Sequence, residues 1–329
     1  MLNSRQKIAV GGGAVATIII AIVFANVSLH GPAQNIAPVQ SPPKSDRLKV
    51  IASFFPMYEF ARNIAGDRAD VSVFIPIGDE PHGWEPTTQE IQEIENSKLF
   101  IYNGYGMESF IPTFLSDGSF PNTTFVKASE GIQMQPADIQ HMASDEADPV
   151  IAQGGMDPHV WNDPILAERE VRNIADAMEK ADPTNAQYYE NNTLAYDAKL
   201  SRIDQDIRSG LSKCQTHTFA SFHNAFNYFS QRYNLTDIWI SGLAPEAEVA
   251  PQDLAKVEEI IKQDHLKVIF SEDLVDPKLA DSLATDVGAT TRILSPLEGI
   301  NETEQKENVT FIGKWYQNLD ALRYAMGCQ

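Results

Sequence analysis

The chain contains 329 residues, of which 43% are hydrophobic and 21% charged, as is usual for a soluble globular protein with one large or two medium domains. Its 45 acidic and 25 basic side chains give a formal net charge of −20. This charge disfavours nucleic acid and anionic lipid surfaces as partners and attracts cations. Acidity also improves solubility, so it permits a role in cation binding without establishing one.

The amino terminus predicts export from the cytoplasm. Arg5 and Lys7 precede an almost uncharged apolar run at residues 8–29. A helix of this length just spans a bilayer about 30 Å thick, with the basic residues inside. A cleaved signal peptide within residues 1–29 is the alternative, since Val23 and Ala25 fit a small-residue cleavage site. The length of the run favours an uncleaved membrane anchor.

The cysteines and the sequons also fit an extracytoplasmic protein. Cys214 and Cys328 lie too far apart for a CxxC motif. Outside the cytosol a disulfide between them is the expected state, and two unrelated buried thiols are the alternative. Six Asn-x-Ser/Thr sequons are consistent with export and glycosylation, at Asn26, Asn122, Asn191, Asn234, Asn301 and Asn308.

After a proline-rich linker at residues 30–47, short β-rich runs alternate with helical patterns, which is typical of α/β architecture with parallel sheets. An N-terminal lobe is expected at residues 48–182. Its predicted strands are residues 48–55, 71–77, 98–103 and 124–127, and its predicted helices are residues 57–65, a helix that begins at Thr87, and residues 165–181. Thr87 and Glu90 form a capping-box pair. An acidic segment at residues 130–157 shows no periodicity.

A long helix at residues 183–211 is predicted next, because apolar side chains recur at helical spacing along one face. Its length predicts a rigid connection to a C-terminal lobe at residues 212–329. Predicted strands there are residues 218–222, 238–241, 267–272 and 291–294, and predicted helices are residues 224–233, 252–264, 277–287 and 310–325. The expected fold is two Rossmann-like α/β lobes, with mostly parallel sheets, joined by one long helix.

Four candidate metal ligands lie near the ends of these elements. His82 and His223 follow predicted strands, and Glu298 lies four residues after another. His159 precedes a predicted helix. Ligands of open α/β sheets bind outside the carboxyl ends of strands, so a cleft between the lobes would bring the four together. The other histidines are expected to be ordinary surface or core residues, with His141 as a weak accessory site in the acidic segment: His30, His141, His217 and His265.

The residue types favour zinc as the bound metal. Three neutral imidazoles and one carboxylate provide the tetrahedral nitrogen-rich shell that zinc prefers. Manganese prefers more oxygen ligands, and calcium takes nearly all its ligands from oxygen.

Several stretches resemble the zinc/manganese solute-binding proteins of ABC importers, the ZnuA/TroA-like group: PHGWEPTTQEI, DPHVWNDP, DPTNAQYYENNTLAYDAKL, SFHNAFNYF and ILSPLEG. The resemblance extends from residue 48 to about residue 325. It implies a single metal between two lobes joined by a rigid helix, and delivery of Zn²⁺ to a permease subunit. The first two histidine ligands of the group match His82 and His159, and the third, a histidine in zinc-type members, matches His223.

The fourth ligand is less clear from the resemblance. Many members of the group carry aspartate where this chain has Ser295, whereas some zinc-type members use the glutamate three residues later, here Glu298. Others use an acid near the first histidine, or water, so Glu80 and Glu85 are alternatives.

Other functions compatible with the sequence are a manganese-binding or adhesin-like member of the same group, and a zinc hydrolase with three histidines. A hydrolase is disfavoured, because the chain has no HExxH, GxSxG or P-loop motif. A carboxylate as the fourth ligand would also occupy the position that a hydrolase needs for its attacking water. We therefore expect a monomeric binding protein and not an enzyme.

Overall fold

The computed structural model describes residues 47–136, 155–246 and 249–329. All of these residues belong to one unit, residues 41–329. No helix in these three ranges is both long and apolar enough to span a membrane. The expected anchor and nearly all of the linker lie outside the described residues, as do Asn26, His30 and His141.

The first half of the chain forms a parallel four-stranded sheet in the order β2-β1-β3-β4. The strands are β1 (Leu48–Ala52), β2 (Ala69–Val73), β3 (Leu99–Tyr102) and β4 (Thr124–Lys127). All four residues of β3 are buried, as expected for an inner strand of a parallel sheet covered on both faces. β1 and β2 end earlier than predicted, because Phe55 already begins a helix and Pro76 has no N–H to donate.

Among the described residues, four helices accompany this sheet: α1 (Phe55–Ala65), α2 (Thr88–Ile94), α3 (Ile111–Asp117) and α4 (Pro164–Ala181). α1 ends at Gly66, which has φ +51° and leaves no room for a Cβ beside the Tyr188 hydroxyl. The predicted capping box is present at the start of α2, where Thr87 and Glu90 each accept a hydrogen bond from the other's backbone N–H. α3 was not predicted, because its seven residues are too few to show helical periodicity.

The long helix is α5 (Ala186–Gly210), preceded by a 3₁₀ turn at Pro183–Asn185. Its 25 residues correspond to a length of about 37 Å at about 1.5 Å per residue. The buried face carries the apolar residues that predicted the helix, including Tyr189, Tyr196, Leu200, Ile203 and Ile207. This face packs against α1, α4 and the last helix of the chain, so α5 contacts elements from both halves of the sequence.

The second half contains two parallel strand pairs. The first pair is β5 (Thr218–Phe219) with β6 (Thr236–Asp237), and the second is β7 (Val268–Ser271) with β8 (Thr290–Ile293). A hydrogen bond from Phe270 N to Ala220 O joins the two pairs. The helices are α6 (Asn227–Tyr233), α7 (Pro251–Gln263), α8 (Lys278–Val287), α9 (Glu302–Lys306) and α10 (Phe311–Ala325). The predicted α/β class with parallel sheets and one long helix is confirmed.

β5 is shorter than the predicted strand at residues 218–222, for a reason that matters to the site. The backbone N–H of Ser221 donates to Asp237 Oδ1, and that of His223 donates to Glu272 Oε1. These amides therefore bind side-chain carboxylates where a regular ladder would bind strand carbonyls. The result is an irregular segment that directs His223 inward, where it is fully buried.

The predicted disulfide between Cys214 and Cys328 is present. Cys214 lies four residues after the end of α5, and Cys328 lies three residues after the end of α10. The bond therefore connects the two ends of the second half of the chain.

Candidate metal centre

Each of the four predicted ligands lies on an irregular segment next to a regular element. His82 lies between β2 and α2, and His159 immediately precedes a 3₁₀ turn at Val160–Asn162 that leads into α4. His223 follows β5, and Glu298 follows β8. Strand or helix packing holds the ends of each segment, so the side chains between them are placed by the surrounding structure.

The structure brings all four side chains together. Glu298 Oε1 lies 3.2 Å from His82 Nε2, 3.2 Å from His159 Nε2 and 3.4 Å from His223 Nε2. His159 Nε2 is 3.2 Å from His82 Nε2 and 3.4 Å from His223 Nε2. Every pair of candidate ligand atoms lies within 4.8 Å.

These separations match the requirements of a zinc ion. Four ligands placed about 2.0–2.1 Å from a tetrahedral ion are roughly 3.3–3.4 Å apart, close to the five distances above. The side chains of His159 and His223 are 0% exposed, that of Glu298 is 1% exposed and that of His82 is 10% exposed. The cluster is therefore almost closed to water and is reached from the side of His82.

A second carboxylate orients each of the two fully buried histidines. Asp157 Oδ1 lies 2.7 Å from His159 Nδ1 and also accepts the backbone N–H of His159. Glu272 Oε1 lies 2.6 Å from His223 Nδ1 and accepts the backbone N–H of His223. A carboxylate at Nδ1 binds the proton on that nitrogen and so directs Nε2, the nitrogen available to a metal, at the centre of the cluster.

Sequence reasoning missed Asp157 and Glu272 as functional residues. A signal was present for both: Asp157 lies two residues before His159, and Glu272 ends the predicted strand at residues 267–272. The rule that metal ligands lie at strand ends also applies to the carboxylates that orient those ligands through hydrogen bonds.

The electrostatics of the cluster favour a positive charge at its centre. Burial raises the pKa of Glu298, but His82, His223 and the hydrogen bond from His159 more than offset it, holding this pKa well below its usual range. Burial lowers the pKa of His82. Glu298 is therefore ionised, which suits a carboxylate that binds a cation.

The surroundings of His159 and His223 also favour a positive charge at the centre of the cluster. Burial lowers the pKa of His223, but the charges of Glu272 and Glu298 raise it well above its usual range. The pKa of His159 is also raised, since Asp157 and Glu298 outweigh the effect of burial. Three buried carboxylates thus surround the imidazoles, and a divalent cation provides the positive charge that balances them.

The other candidates for the fourth ligand have different partners. Glu85 is exposed and accepts a hydrogen bond from Ser109 Oγ. Ser295 Oγ accepts the backbone N–H of Leu297. Glu80 Oε1 accepts the backbone N–H of His82, and burial, followed by the Glu298 charge, raises the pKa of Glu80 to about 9. Outside the cluster, His217 and His265 are exposed, as expected for ordinary surface histidines.

Comparison with known proteins gives a consistent result. The high-affinity zinc uptake system protein ZnuA of Bacillus subtilis is 38% identical over 305 residues, which cover 93% of this chain and 95% of that protein. The zinc-binding lipoprotein AdcA of Streptococcus pneumoniae is 31% identical over 277 residues, which cover 84% of this chain. This chain spans about half of AdcA, since the match covers 55% of that protein.

The fold and the family are also shared. The crystal structure of the Zn(II)-bound ZnuA-like domain of S. pneumoniae AdcA superposes with a TM-score of 0.71 at 31% identity, covering 85% of this chain and 99% of that domain. The family model described as "Zinc-uptake complex component A periplasmic" matches residues 50–325. The chain therefore belongs to the family of the periplasmic component A of zinc-uptake complexes.

Proposed function

We propose that this chain captures Zn²⁺ outside the cytoplasm and delivers it to the permease subunit of an ABC-type importer. The observation that carries the proposal is the convergence of three imidazole Nε2 atoms and one carboxylate oxygen in a buried cluster. We assign His82, His159, His223 and Glu298 as the zinc ligands. The names of the B. subtilis and S. pneumoniae relatives, a zinc uptake protein and a zinc-binding lipoprotein, support the same cargo.

The donor set supports zinc as the cargo in preference to manganese. Three imidazoles and one carboxylate complete a four-coordinate shell, which zinc accepts without penalty because its d shell is filled. Manganese favours larger shells rich in oxygen. Calcium favours oxygen ligands still more strongly.

The same geometry supports a binding protein and not a hydrolase. Catalytic zinc sites keep one position open for the water that attacks the substrate. Here Glu298 Oε1 lies within 3.4 Å of all three Nε2 atoms and takes that fourth position. Zinc bound in this way is held for transfer and has no site for a substrate.

The proposed location is the outer face of the membrane, with residues 8–29 as a membrane anchor and the binding protein as a monomer. The disulfide between Cys214 and Cys328 supports this location, because disulfides persist in oxidising compartments outside the cytosol. The deletion of residues 1–40 should release the protein into the soluble fraction with its zinc binding unchanged. Recovery of full-length protein in the soluble fraction would argue against an uncleaved anchor.

The proposal is tested by zinc titration of purified protein and of two variants from opposite halves of the chain, His82→Ala and His223→Ala. Wild-type protein should bind one zinc ion tightly, and its melting temperature should rise, because a ligand that binds only the native state stabilises it by RT ln(1 + [L]/Kd). Each variant should lose tight binding. The exposed residue His217 provides the control, since His217→Ala should bind zinc like wild type. Unchanged affinity in either cluster variant would remove that residue from the ligand set.

A further inference from the structure

The turn that carries Glu298 is held in an unfavourable backbone conformation. Leu297, the residue immediately before Glu298, has φ +64°, a value that bulky side chains rarely adopt. Leu297 is also completely buried. Such a conformation persists only where the surrounding contacts impose it.

Two side chains from outside the turn form hydrogen bonds with its backbone. Asn318 of α10 binds Ser295 twice, with Oδ1 accepting the Ser295 N–H at 2.9 Å and Nδ2 donating to Ser295 O at 2.7 Å. The indole Nε1–H of Trp161 donates to Pro296 O at 2.9 Å. Within the turn, Ser295 Oγ accepts the Leu297 N–H at 3.1 Å.

Trp161 also contacts the opposite side of the cluster. It lies two residues after His159, and the centroids of the two rings are 5.3 Å apart. The indole is 0% exposed and packs edge-on against Phe54, which restricts its movement. One side chain therefore touches a histidine from the first half of the chain and the turn that carries Glu298 from the second half.

We infer that Trp161 and Asn318 are positioning residues that hold Glu298 for zinc. Neither side chain contacts the metal position through a donor atom. Together they fix Ser295 and Pro296, and these two residues fix the direction in which Glu298 leaves the turn. The inference rests on the proposed function, in which Glu298 is a zinc ligand.

The consequence is a site that is assembled before zinc arrives. A carboxylate held next to three imidazoles binds zinc without first ordering the turn, so the loss of conformational entropy on binding is smaller. If the turn is released, Glu298 spends part of its time away from the cluster. Zinc should then dissociate faster, because the fourth ligand is lost more often.

The central variant is Trp161→Phe, which keeps an aromatic ring and removes the indole N–H. Loss of a group that orients a ligand typically weakens metal binding by about 10–100-fold, and we expect a decrease of this size in zinc affinity. Asn318→Ala, which removes both bonds to Ser295, should have the same effect. The measurements are competition with a chromogenic zinc chelator, the zinc dissociation rate, and the melting temperature of metal-free protein.

A matched control is available at Trp315, which is also buried and stacks on Phe229. In the described structure its Nε1–H has no hydrogen-bond partner, so Trp315→Phe removes an indole N–H that makes no bond. This variant should keep wild-type zinc affinity. Equal losses of affinity in Trp161→Phe and Trp315→Phe would overturn the inference.

The decisive measurement repeats Trp161→Phe in a Glu298→Ala background. If Trp161 acts through Glu298, the substitution should change zinc affinity less than about twofold there, because coupled residues are not additive. The same 10–100-fold loss of zinc affinity in that background would show that Trp161 does not act through Glu298. That result would overturn the inference and leave the proposed function intact. Wild-type protein that binds no zinc would overturn the proposed function as well.

Discussion

Glu298 shows how burial and charge at single residues define the proposed site. Its carboxylate is 1% exposed, yet its pKa stays well below the usual range because the imidazoles of His82 and His223 favour the ionised form. An ionised carboxylate inside a protein is costly unless it is paired or binds a metal. A divalent ion that binds Glu298 and the three imidazoles satisfies this requirement.

We expect the choice between zinc and manganese to depend on the residue at position 223. His223→Glu replaces an imidazole with a carboxylate and places it beside Glu272, whose Oε1 lies 2.6 Å from the original Nδ1. An oxygen-richer shell favours manganese relative to zinc. We expect zinc affinity to fall roughly tenfold or more, and the ratio of zinc affinity to manganese affinity to decrease. Competition between the two metals measures this, with His217→Glu as the exposed control. An unchanged zinc/manganese ratio would contradict the assignment of His223.

The fourth ligand is tested by Glu298→Ala. Three histidines should still hold zinc, but more weakly by roughly tenfold or more, since one of the four proposed ligands is lost. Glu85→Ala is the matched control, because Glu85 is exposed and bonded to Ser109. Isothermal titration of both variants distinguishes the two carboxylates. If Glu298→Ala binds zinc like wild type, Glu80 or water would replace it in the ligand set.

At the scale of elements, helix α4 connects the segment that carries His159 to the core of the first half. Its N-cap is Asp163, four residues after His159, and the Asp163 side chain accepts the backbone N–H groups of Ile165 and Leu166. This cap fixes the start of α4 and therefore the end of the segment that carries His159. The helix continues with a buried face that includes Glu170.

Glu170 makes stability depend on pH. It is completely buried, and both of its carboxylate oxygens have no hydrogen-bond partner among the described residues. Burial, and then the nearby Glu108, raise the pKa of Glu170 well above its usual range. The folded protein therefore keeps this proton at a pH where the unfolded chain has already lost it, so stability falls as pH rises through the window between the two pKa values.

Glu170→Gln should remove the loss of stability that wild type shows as pH rises. At a pH below the ordinary glutamate range the variant and wild type should differ little, because the carboxyl is protonated in both folded and unfolded states. At neutral pH the variant should be the more stable of the two. Urea denaturation at several pH values measures the difference, with the exposed Glu93→Gln on α2 as the control. A difference that stays constant with pH would contradict a raised pKa at Glu170.

On the scale of the whole molecule, two features hold the second half of the chain in place. Helix α5 packs against α1 and α4 from the first half and against α10 from the second. The disulfide then joins the segment after α5 to the end of α10. Helix α10 also carries Asn318, which hydrogen-bonds to Ser295 in the turn before Glu298.

Removal of the disulfide tests the second feature. The bond closes a loop between residues 114 positions apart, for which the chain-entropy model gives about 5 kcal/mol of stability. The double variant Cys214→Ser, Cys328→Ser should therefore unfold at lower urea concentration than wild type. Wild type in a reducing agent should shift in the same direction, whereas the variant should not respond to reduction. Equal stability of oxidised wild type and variant would show that the bond contributes little.

The α/β class, the long helix and the capping box at Thr87 were predictable from the sequence, because helical and strand periodicity and capping are local properties of the chain. It also predicted His82, His159, His223 and Glu298 as a set, since three of them lie near the carboxyl ends of predicted strands and the motifs around the histidines resemble those of a known family. The histidine ligands were more sharply indicated than the fourth, because the short motifs around the histidines are distinctive and several acids lie near them.

Which carboxylates lie at the centre of the cluster depends on contacts between distant parts of the chain. His82 and Glu298 are 216 residues apart, and His223 and Glu272 are 49 apart, so no local pattern records either contact. Such contacts also end β5 early. The backbone N–H of Ser221 donates to Asp237 and that of His223 donates to Glu272, so neither amide pairs with a neighbouring strand. Trp161 and Asn318, whose side chains hydrogen-bond to Pro296 and Ser295, likewise lie far from the Leu297 turn in the sequence. Periodicity reports how each segment folds, whereas the metal geometry arises from how distant segments pack, and that packing exists only in the folded chain.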